Sequence, residues 1–393
     1  MRLLNRRTLL STKLSVIAAL AMAGSMAAAP GAFAATPTAH ASTGANVALA
    51  TKLAQAIMKP VTWTAPGPAI AVGKHLKGDK VQLVTDVANQ FSETAGKAMQ
   101  AAGTAAGVTV KADYGDGTLT SVESGIQSAI TEGAKVLVIM SVPTTAIEQP
   151  LKNAVKHGIS VIQMGEHGPG ALNAIEKTVG VKADITGCYA CAGRAEADFI
   201  VSASKGNAHA LFINSPDIGD SNEESAGFSS QLHMLCPSCT VQTVGIPVAN
   251  WSTQITSTVS SNLAAHPDIN YVVPVFDTME DFVTPAIKSA NDTSKVDLAS
   301  FNASEAQMKE MQSGTQPAWA ADGGYDLPWW GWAAMDDVYR VLLHKPALPS
   351  EQVPLRFFTH ASVKPYNVAG SQDPWYGKPK YVSGFEKLWG ITH

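Results

Sequence analysis

The chain has 393 residues, of which 46% are hydrophobic and 15% are charged, and its formal net charge is −4. This length and apolar content suffice for two domains of ordinary size and exclude a largely disordered chain. The balance of 28 Lys and Arg against 32 Asp and Glu argues against nucleic-acid binding, which requires a basic surface to neutralise phosphates.

The first 34 residues have the pattern of a cleavable export signal. An apolar stretch over 14–29 ends at the small-x-small site Ala32-Phe33-Ala34, and it is preceded by the basic residues Arg2, Arg6, Arg7 and Lys13. A transmembrane anchor is the alternative, but the stretch is short and rich in Ala and Gly. The paired arginines are compatible with twin-arginine export and with ordinary secretion. We therefore predict a periplasmic mature chain, in which loss of four positive charges takes the net charge from −4 to −8.

Four cysteines form two C-x-x-C motifs, Cys188 with Cys191 and Cys236 with Cys239. In an exported chain such cysteines are typical of structural disulfides, because the compartment is oxidising. Three connectivities are open, and a four-thiolate zinc site or redox-active thiols are the alternatives. We predict disulfides and no metal site.

The rest of the chain alternates short apolar runs with amphipathic stretches. In the lead over 35–77, three prolines and a glycine within 60–68 exclude regular structure there. Strands are predicted at 81–84, 108–110, 135–140 and 160–164, with helices at 93–106, 121–132 and 146–157. Beyond a break near Gly180, helices are predicted at 192–204, 223–235, 253–265 and 282–290, and strands at 209–213, 241–248, 270–276 and 296–301. This order predicts an α/β fold of two Rossmann-like parallel-sheet lobes joined by a hinge.

The residues that follow each predicted strand form the candidate site, because open parallel sheets bind ligands at the carboxyl ends of their strands. They are rich in amides, carboxylates and aromatic rings, which suits a hydroxylated ligand, although each Asx residue has a helix cap as its alternative role. The candidates are Asp86, Asn89, Gln90, Phe91, Gly165, Glu166, His167, Asn214, Asp217, Asp220, Asn222, Asn250, Trp251, Asp277, Met279, Glu280 and Asn302.

The sequence contains no familiar catalytic motif. G-x-S-x-G, H-E-x-x-H and G-x-x-x-x-G-K-[ST] are all missing, and the histidines lack metal-ligand spacing. Glu166-His167 is the one candidate acid–base pair, and no nucleophile accompanies it. We therefore predict a protein that is not an enzyme and has no cofactor.

Several segments resemble the type I periplasmic binding proteins of sugar ABC transporters, the ribose-binding-like family. The segment 179–200 (VGVKADITGCYACAGRAEADFI) is similar to the family's crossing into the second lobe, and 88–91 (ANQF) is similar to its first-lobe ligand loop. Further matches are 262–277 (NLAAHPDINYVVPVFD) and the return crossing within 321–342. The resemblance covers about 78–345. It implies a first lobe of 78–180 plus about 317–345, and a second lobe of 181–316 plus about 346–393.

The resemblance also implies a set of ligand-binding positions. They fall on Asn89, Phe91, Glu166 (or Gly165), His167, Asn222, Trp251 (or Asn250), Asp277 (or Thr278), Asn302 and Asp322. Sugar-binding members place an arginine in each lobe, whereas this chain has Glu166 or His167 and Asn222 at those places. A cleft with carboxylates and no arginine disfavours an anionic ligand and tolerates a polyol, an aminated sugar or a cation.

The function implied by the resemblance is that of an exported substrate-binding protein of an ABC importer. Such a protein is expected to be a monomer that captures a small polar ligand, such as a sugar or polyol, and delivers it to a permease that works with an ATPase. The alternatives are a periplasmic ligand sensor for a membrane receptor and transport of a cationic or aromatic solute. Nucleic acid is not an expected partner.

Overall fold

The computed structural model describes residues 45–391, except 74, 316, 349–352 and 370–371. The predicted export signal at 1–34 and the beginning of the 35–77 lead lie outside these residues. Within the described part of the chain, no helix is both long and apolar enough to cross a lipid bilayer.

The first lobe is built on a five-stranded parallel sheet. The elements up to its last strand are α1 (Val47–Ile57), β1 (Lys80–Thr85), α2 (Gln90–Ala106), β2 (Thr109–Tyr114), α3 (Leu119–Glu132), β3 (Val136–Met140), α4 (Glu148–Lys156), β4 (Ser160–Met164), α5 (Ala174–Val179) and β5 (Asp184–Ile185). The strand order is β2-β1-β3-β4-β5. Strand β3 is buried at every position, as expected for an apolar run in a parallel sheet covered on both faces.

The second lobe is built on a six-stranded sheet. The elements that follow in the chain are α6 (Tyr189–Ala203), β6 (His209–Asn214), α7 (Gly219–Leu235), β7 (Thr240–Gly245), α8 (Trp251–Ala265), β8 (Tyr271–Pro274), α9 (Glu280–Ser289), β9 (Asp297–Phe301), α10 (Glu305–Ser313), β10 (Trp319–Tyr325), α11 (Leu327–Leu342) and β11 (Leu355–Phe358). The strand order is β11-β10-β9-β8-β6-β7. Strand β11 pairs antiparallel with β10, and the other pairs are parallel.

The chain crosses between the lobes at positions that differ from the predicted ones. Strand β5 pairs with β4 in the first sheet, so the first crossing follows residue 185, while Gly180 ends α5 in a left-handed conformation (φ 94°). Strand β10 pairs with β9 in the second sheet. Of the predicted 317–345 segment, only the part from α11 onward therefore belongs with the first lobe, where α11 packs on α2.

The N-terminal lead and the C-terminal tail contact each other and both lobes. Helix α1 lies against α6, where the hydroxyls of Thr51 and Ser202 are 2.7 Å apart. Residues 60–68 form neither helix nor strand, as predicted. The tail contains the short helices α12 (His360–Val363) and α13 (Asp373–Tyr376) and then α14 (Tyr381–Leu388). The Ile70 N–H donates to the Leu388 carbonyl (2.8 Å), and α14 packs on α11, so the tail covers the first lobe as well as the second.

Each C-x-x-C motif closes on itself. Cys188 is bonded to Cys191 at the start of α6, and Cys236 is bonded to Cys239 just after α7. The Cys236 Sγ lies 3.3 Å from the carbonyl oxygen of Gly206, beyond the far end of α6. The two pairs are thus separated by the length of this helix and cannot share one zinc ion. The structure has the predicted disulfides and selects one of the three connectivities.

Candidate functional site

A cleft lies between the lobes at the carboxyl ends of both sheets. Its empty space, including the open mouth, measures about 460 Å³. The first lobe contributes the loop after β1 and the residue after β3, and the second lobe contributes the start of α6 and the ends of its strands. The lining residues are Asp86, Val87, Asn89, Phe91, Ser141, Tyr189, Ile218, Asp220, Trp251, Phe276, Thr278, Phe301 and Asn302.

Four of the nine predicted ligand residues line this cleft: Asn89, Phe91, Trp251 and Asn302. Asn89 also caps α2, because its Oδ1 accepts the Ser92 N–H (2.9 Å). The indole Nε1 of Trp251 donates to a serine hydroxyl of the second lobe (2.8 Å), which fixes the ring at the cleft wall. The contacts of these four residues with a ligand stay predictions.

Two cleft residues have a backbone conformation that residues with side chains rarely adopt. Ser141 has φ 62°, and Asn302 has φ 124°. Each is held by a backbone hydrogen bond, from the Ser141 N–H to the Met164 carbonyl (3.1 Å) and from the Asn302 N–H to the Gly323 carbonyl (2.6 Å). Such strained positions cluster at ligand sites, where the surrounding structure holds a side chain in place. The strain is therefore a second indication that Ser141 and Asn302 belong to the site.

Two further predicted residues, Asp277 and Asp322, are fully buried and do not line the cleft. The Asp277 carboxylate accepts the Ser304 N–H (2.5 Å) and the Ser304 hydroxyl (2.8 Å), so it fixes the start of α10. Burial raises the pKa of Asp277 to about 7. Burial and the neighbouring Asp277 raise the pKa of Asp322 well above its usual range, and burial does the same for Glu196 and Glu224 nearby. Burial therefore favours the protonated form of these carboxyl groups.

Asn222 is exposed on α7 and also lies outside the cleft lining. Its Oδ1 accepts from the Asn214 amide (2.9 Å), and its Nδ2 donates to the carbonyls of Pro216 and Ile218 (3.3 Å each). These bonds hold the loop after β6, which leads into the turn that carries Asp220. In this structure Asn222 therefore shapes the site indirectly.

Glu166 and His167 lie beside the first crossing between the lobes, outside the cleft lining. Glu166 accepts the Thr144 N–H (3.0 Å) and is buried. The Nδ1 of His167 faces the Gly168 carbonyl (2.7 Å), and its Nε2 faces the Glu176 carboxylate (3.0 Å). Both ring nitrogens therefore donate, and the hydrogen bond with Glu176 raises the pKa of His167 to about 10. The candidate acid–base pair is therefore divided, with His167 ion-paired to Glu176 and Glu166 bonded to Thr144.

The same histidine belongs to the one group of described residues whose geometry suits a metal ion, His167 with Glu176 and Asp184. The Asp184 carboxylate lies 3.7 Å from the His167 Nε2, and burial raises its own pKa to about 7. A protonated imidazole has no lone pair to offer a metal. In this structure the His167 ring lies between the carboxyl groups of Glu176 and Asp184.

Two carboxyl groups face the cleft from opposite lobes, Asp86 from the first and Asp220 from the second. Burial raises the pKa of Asp86 to about 7, backbone hydrogen bonds oppose this rise, and the charge of Asp217 adds to it. Burial raises the pKa of Asp220 to about 8; the Tyr189 hydroxyl opposes this rise and the Asp86 charge adds to it. The cleft therefore contains two acids that are only partly ionised at neutral pH.

Hydrogen bonds between the lobes hold the cleft closed in this structure. The Gly168 N–H donates to both carboxylate oxygens of Glu223 near the start of α7 (2.9 Å each). The Gln90 amide oxygen accepts the Glu305 N–H (3.0 Å), which joins the start of α2 to the start of α10. One small molecule can therefore reach cleft residues of both lobes.

Several residues that line the cleft are missing from the nine ligand-binding positions predicted from the sequence. Asp86 and Asp220 appear among the strand-end candidates without being selected. Phe276 and Phe301 end apolar runs that resemble core strands, and Tyr189 lies between two cysteines with a structural role. The Tyr189 and Phe301 rings are 6.2 Å apart and form one wall. Phe276 and Phe301 could have been identified from the sequence by their position at the end of a strand.

Comparison with known proteins identifies the family. A family model described as periplasmic binding protein domain matches residues 82–346. No curated protein sequence matches the chain. An ABC transporter solute binding protein from Agrobacterium vitis with bound allitol is similar in structure, with 18% identity, a TM-score of 0.64, and coverage of 74% of this chain and 98% of that one.

Two other solved structures are similar over more of the chain. A 5-methylthioribose transporter solute binding protein from Thermotoga lettingae has 15% identity and a TM-score of 0.66, and it covers 83% of this chain and 100% of its own. A Mycobacterium smegmatis protein in complex with β-D-fucofuranose has 17% identity and a TM-score of 0.61, with coverage of 80% and 99%. These likenesses confirm the predicted fold of two α/β lobes, and the chain belongs to the periplasmic binding protein domain family.

Proposed function

We propose that this chain is the solute-binding protein of an ABC importer, which captures a small hydroxylated molecule between its lobes and delivers it to a membrane permease driven by an ATPase. The observation that carries the proposal is the cleft, where the strand ends of two sheets meet around one volume. A ligand that bridges both lobes stabilises the closed state, because it makes contacts there that the open state lacks. Recognition of that closed form by the permease then couples binding to transport.

A sugar or polyol fits the lining of the cleft. Phe91 and Trp251 offer aromatic faces that pack against C–H surface, and Asn89 and Asn302 offer amides for hydroxyl groups. The similar solved structures support this class, since they contain allitol, α-D-tagatopyranose and D-arabinose.

The proposed working form is an exported monomer with no catalytic role and no cofactor. Release of the exported chain from the membrane depends on cleavage after Ala34 in the predicted signal at 1–34. N-terminal sequencing of the protein recovered from the periplasm of an expressing host tests this part of the proposal. The expected first residue is Ala35, and a membrane-bound chain that keeps residues 1–34 would contradict it.

A thermal-shift screen of the mature protein, stripped of co-purified solute by unfolding and refolding, tests the binding function. The panel contains sugars, polyols, amino sugars, amines and aromatic acids. A solute at about a thousand times its Kd adds about 4 kcal/mol to the stability of the native state. We expect the strongest stabiliser among the hydroxylated compounds.

Two variants locate the binding site in the same screen. Trp251→Ala removes a ring from the cleft wall and should abolish or greatly reduce the shift. Met234→Ala removes an exposed side chain of α7 that does not line the cleft and should keep it. Stabilisation by no compound, or an equal shift in Trp251→Ala and wild type, would contradict the proposal.

A further inference from the structure

The charged groups that face the cleft all have the same sign. Asp86 approaches from the first lobe and Asp220 from the second, and none of the thirteen lining residues is Lys, Arg or His. The titratable groups that interact with this pair are Asp217, Glu223, Glu224 and the hydroxyls of Tyr189 and Tyr325, and none of them is a cation. The cleft therefore offers no counter-charge to the ionised form of these carboxyls, and a solute with positive charge would supply one.

Three buried polar atoms in the cleft lack a hydrogen-bond partner within the described part of the chain. Two are acceptors, the Oδ1 atoms of Asp220 (4% exposed) and Asn302 (7% exposed), and the third is the Tyr189 hydroxyl. A buried acceptor left unpaired is costly, so the site is incomplete without a donor. A hydroxyl group supplies one donor hydrogen and brings lone pairs that need donors in turn. An ammonium group supplies three donor hydrogens and no lone pair.

Aromatic rings line the same cleft as the two carboxyl groups. Phe91 belongs to the first lobe, and Trp251, Phe276 and Phe301 belong to the second. The ring centroids of Trp251 and Phe276 are 6.2 Å apart. Aromatic faces attract a cation within about 6 Å, and they exclude the water that would screen its charge. These walls therefore suit a compact cation that also carries C–H surface.

We propose that the solute carries a protonated amine, as an amino sugar or an amino-polyol does, and that its ammonium group binds between Asp86 and Asp220. The inference rests on the proposed function and specifies the ligand class of the same cleft. The raised pKa values of the two carboxyls support it, because an ammonium group between them would favour their ionised forms. Affinity for such a solute should therefore increase as the pH rises through 7 to 8.

Isothermal titration calorimetry with matched pairs of solutes tests the inference. The two members of each pair share a skeleton and differ in one hydroxyl or amine: sorbitol with glucamine, glucose with glucosamine, and galactose with galactosamine. We expect the amine of at least one pair to bind about tenfold tighter, or more, than its hydroxyl partner at pH 7. The glucamine measurement is repeated at pH 6 and pH 8, since an alkyl amine, like the Lys side chain with a pKa of about 10.4, stays protonated at both values.

Three variants assign the effect to the two carboxyl groups. Asp86→Asn and Asp220→Asn should each lower the affinity for the amine about tenfold or more, and should lower it by a larger factor than the affinity for the hydroxyl partner. Asp268→Asn is the control. It removes a negative charge from the second lobe, just before β8 and so at the amino ends of the strands, away from the cleft. The Asp268 side chain is 65% exposed there, and its replacement should change neither affinity.

The possible outcomes separate this inference from the proposed function. Tighter binding of the hydroxyl members, or amine binding that is insensitive to both cleft variants, overturns the amine inference and leaves solute capture standing. Binding of no member of any pair, together with no stabilisation in the thermal-shift screen, overturns both.

Discussion

Replacing Asp220 by Asn is predicted to stabilise the ligand-free protein while it weakens solute binding. Asp220 lies in the first turn of α7, almost fully buried, with the Tyr189 hydroxyl beside it and the Asp86 charge nearby. Asparagine keeps the shape of the side chain and one carbonyl oxygen, but it cannot ionise. The substitution therefore separates the cost of burying a charge from its benefit in binding.

The magnitude follows from the pKa shift of the carboxyl. Burial raises the pKa of Asp220 from 3.8 to about 8. Because the folded-state pKa lies above the unfolded one, the stability due to this group is fully present below pH 3.8 and is lost as the pH rises toward 8. One pKa unit is worth about 1.4 kcal/mol, so the loss at pH 7 is at most about 4 kcal/mol. Placing the new amide costs about 1 kcal/mol, which leaves a net gain of about 3 kcal/mol at pH 7 and almost none near pH 4.

Urea unfolding of ligand-free wild-type and Asp220→Asn proteins, followed by tryptophan fluorescence at pH 4.5, 6 and 7.5, measures this gain. The exposed control Asp268→Asn should stay within about 0.5 kcal/mol of wild type at each pH. An Asp220→Asn protein no more stable than wild type at pH 7.5 would refute the reasoning. A stability gain of Asp220→Asn that does not grow from pH 4.5 to pH 7.5 would also refute it. In that case the folded protein would not be burying the Asp220 carboxylate without a counter-charge.

Three further predictions concern closure, the disulfides and helix packing. Glu223→Ala removes a hydrogen bond between the lobes and should weaken ligand binding by about 1–2 kcal/mol, or about five- to thirtyfold in calorimetry; unchanged affinity would mean that the contact persists in the open state. Replacing both cysteines of Cys188–Cys191 by Ser should lower affinity, because the tyrosine between them lines the cleft, whereas the same change at Cys236–Cys239 should lower only the melting temperature; equal effects on affinity would contradict this. Gly227→Ala would push a methyl group into a carbonyl oxygen of α6 and should lower the free energy of unfolding in urea by about 1–3 kcal/mol. Gly170→Ala, which has open space around it, should lower it much less. Equal losses of stability in the two variants would contradict the close packing of α6 on α7.

Much of the fold follows from local sequence patterns, and the lobe boundaries do not. The apolar run at 135–140 predicts β3 to within one residue, since a strand covered on both faces needs such a run. Strand β5 is only two residues long, and β10 contains two glycines and an aspartate within WAADGGY. Neither segment has a strand-like pattern. Which sheet each one joins depends on pairing with strands distant in sequence.

The sequence predicts that the site lies at the carboxyl ends of the strands, but it does not predict which side chains there face the ligand. The strand-end rule brings Phe91, Trp251 and Asn302 to the cleft. It cannot tell whether a carboxyl at a strand end faces the ligand or the helix behind it, and Asp277 faces Ser304. That choice is made by local backbone rotation, which the sequence pattern does not encode.

Small-angle X-ray scattering tests most directly the central claim that the two lobes close on a solute. The sample is the mature protein, measured without solute and with a saturating amount of the strongest stabiliser from the thermal-shift screen. The account predicts a smaller radius of gyration with the stabiliser present, and no change in Trp251→Ala at the same concentration. A radius of gyration that stays the same when the wild-type protein is saturated would contradict it.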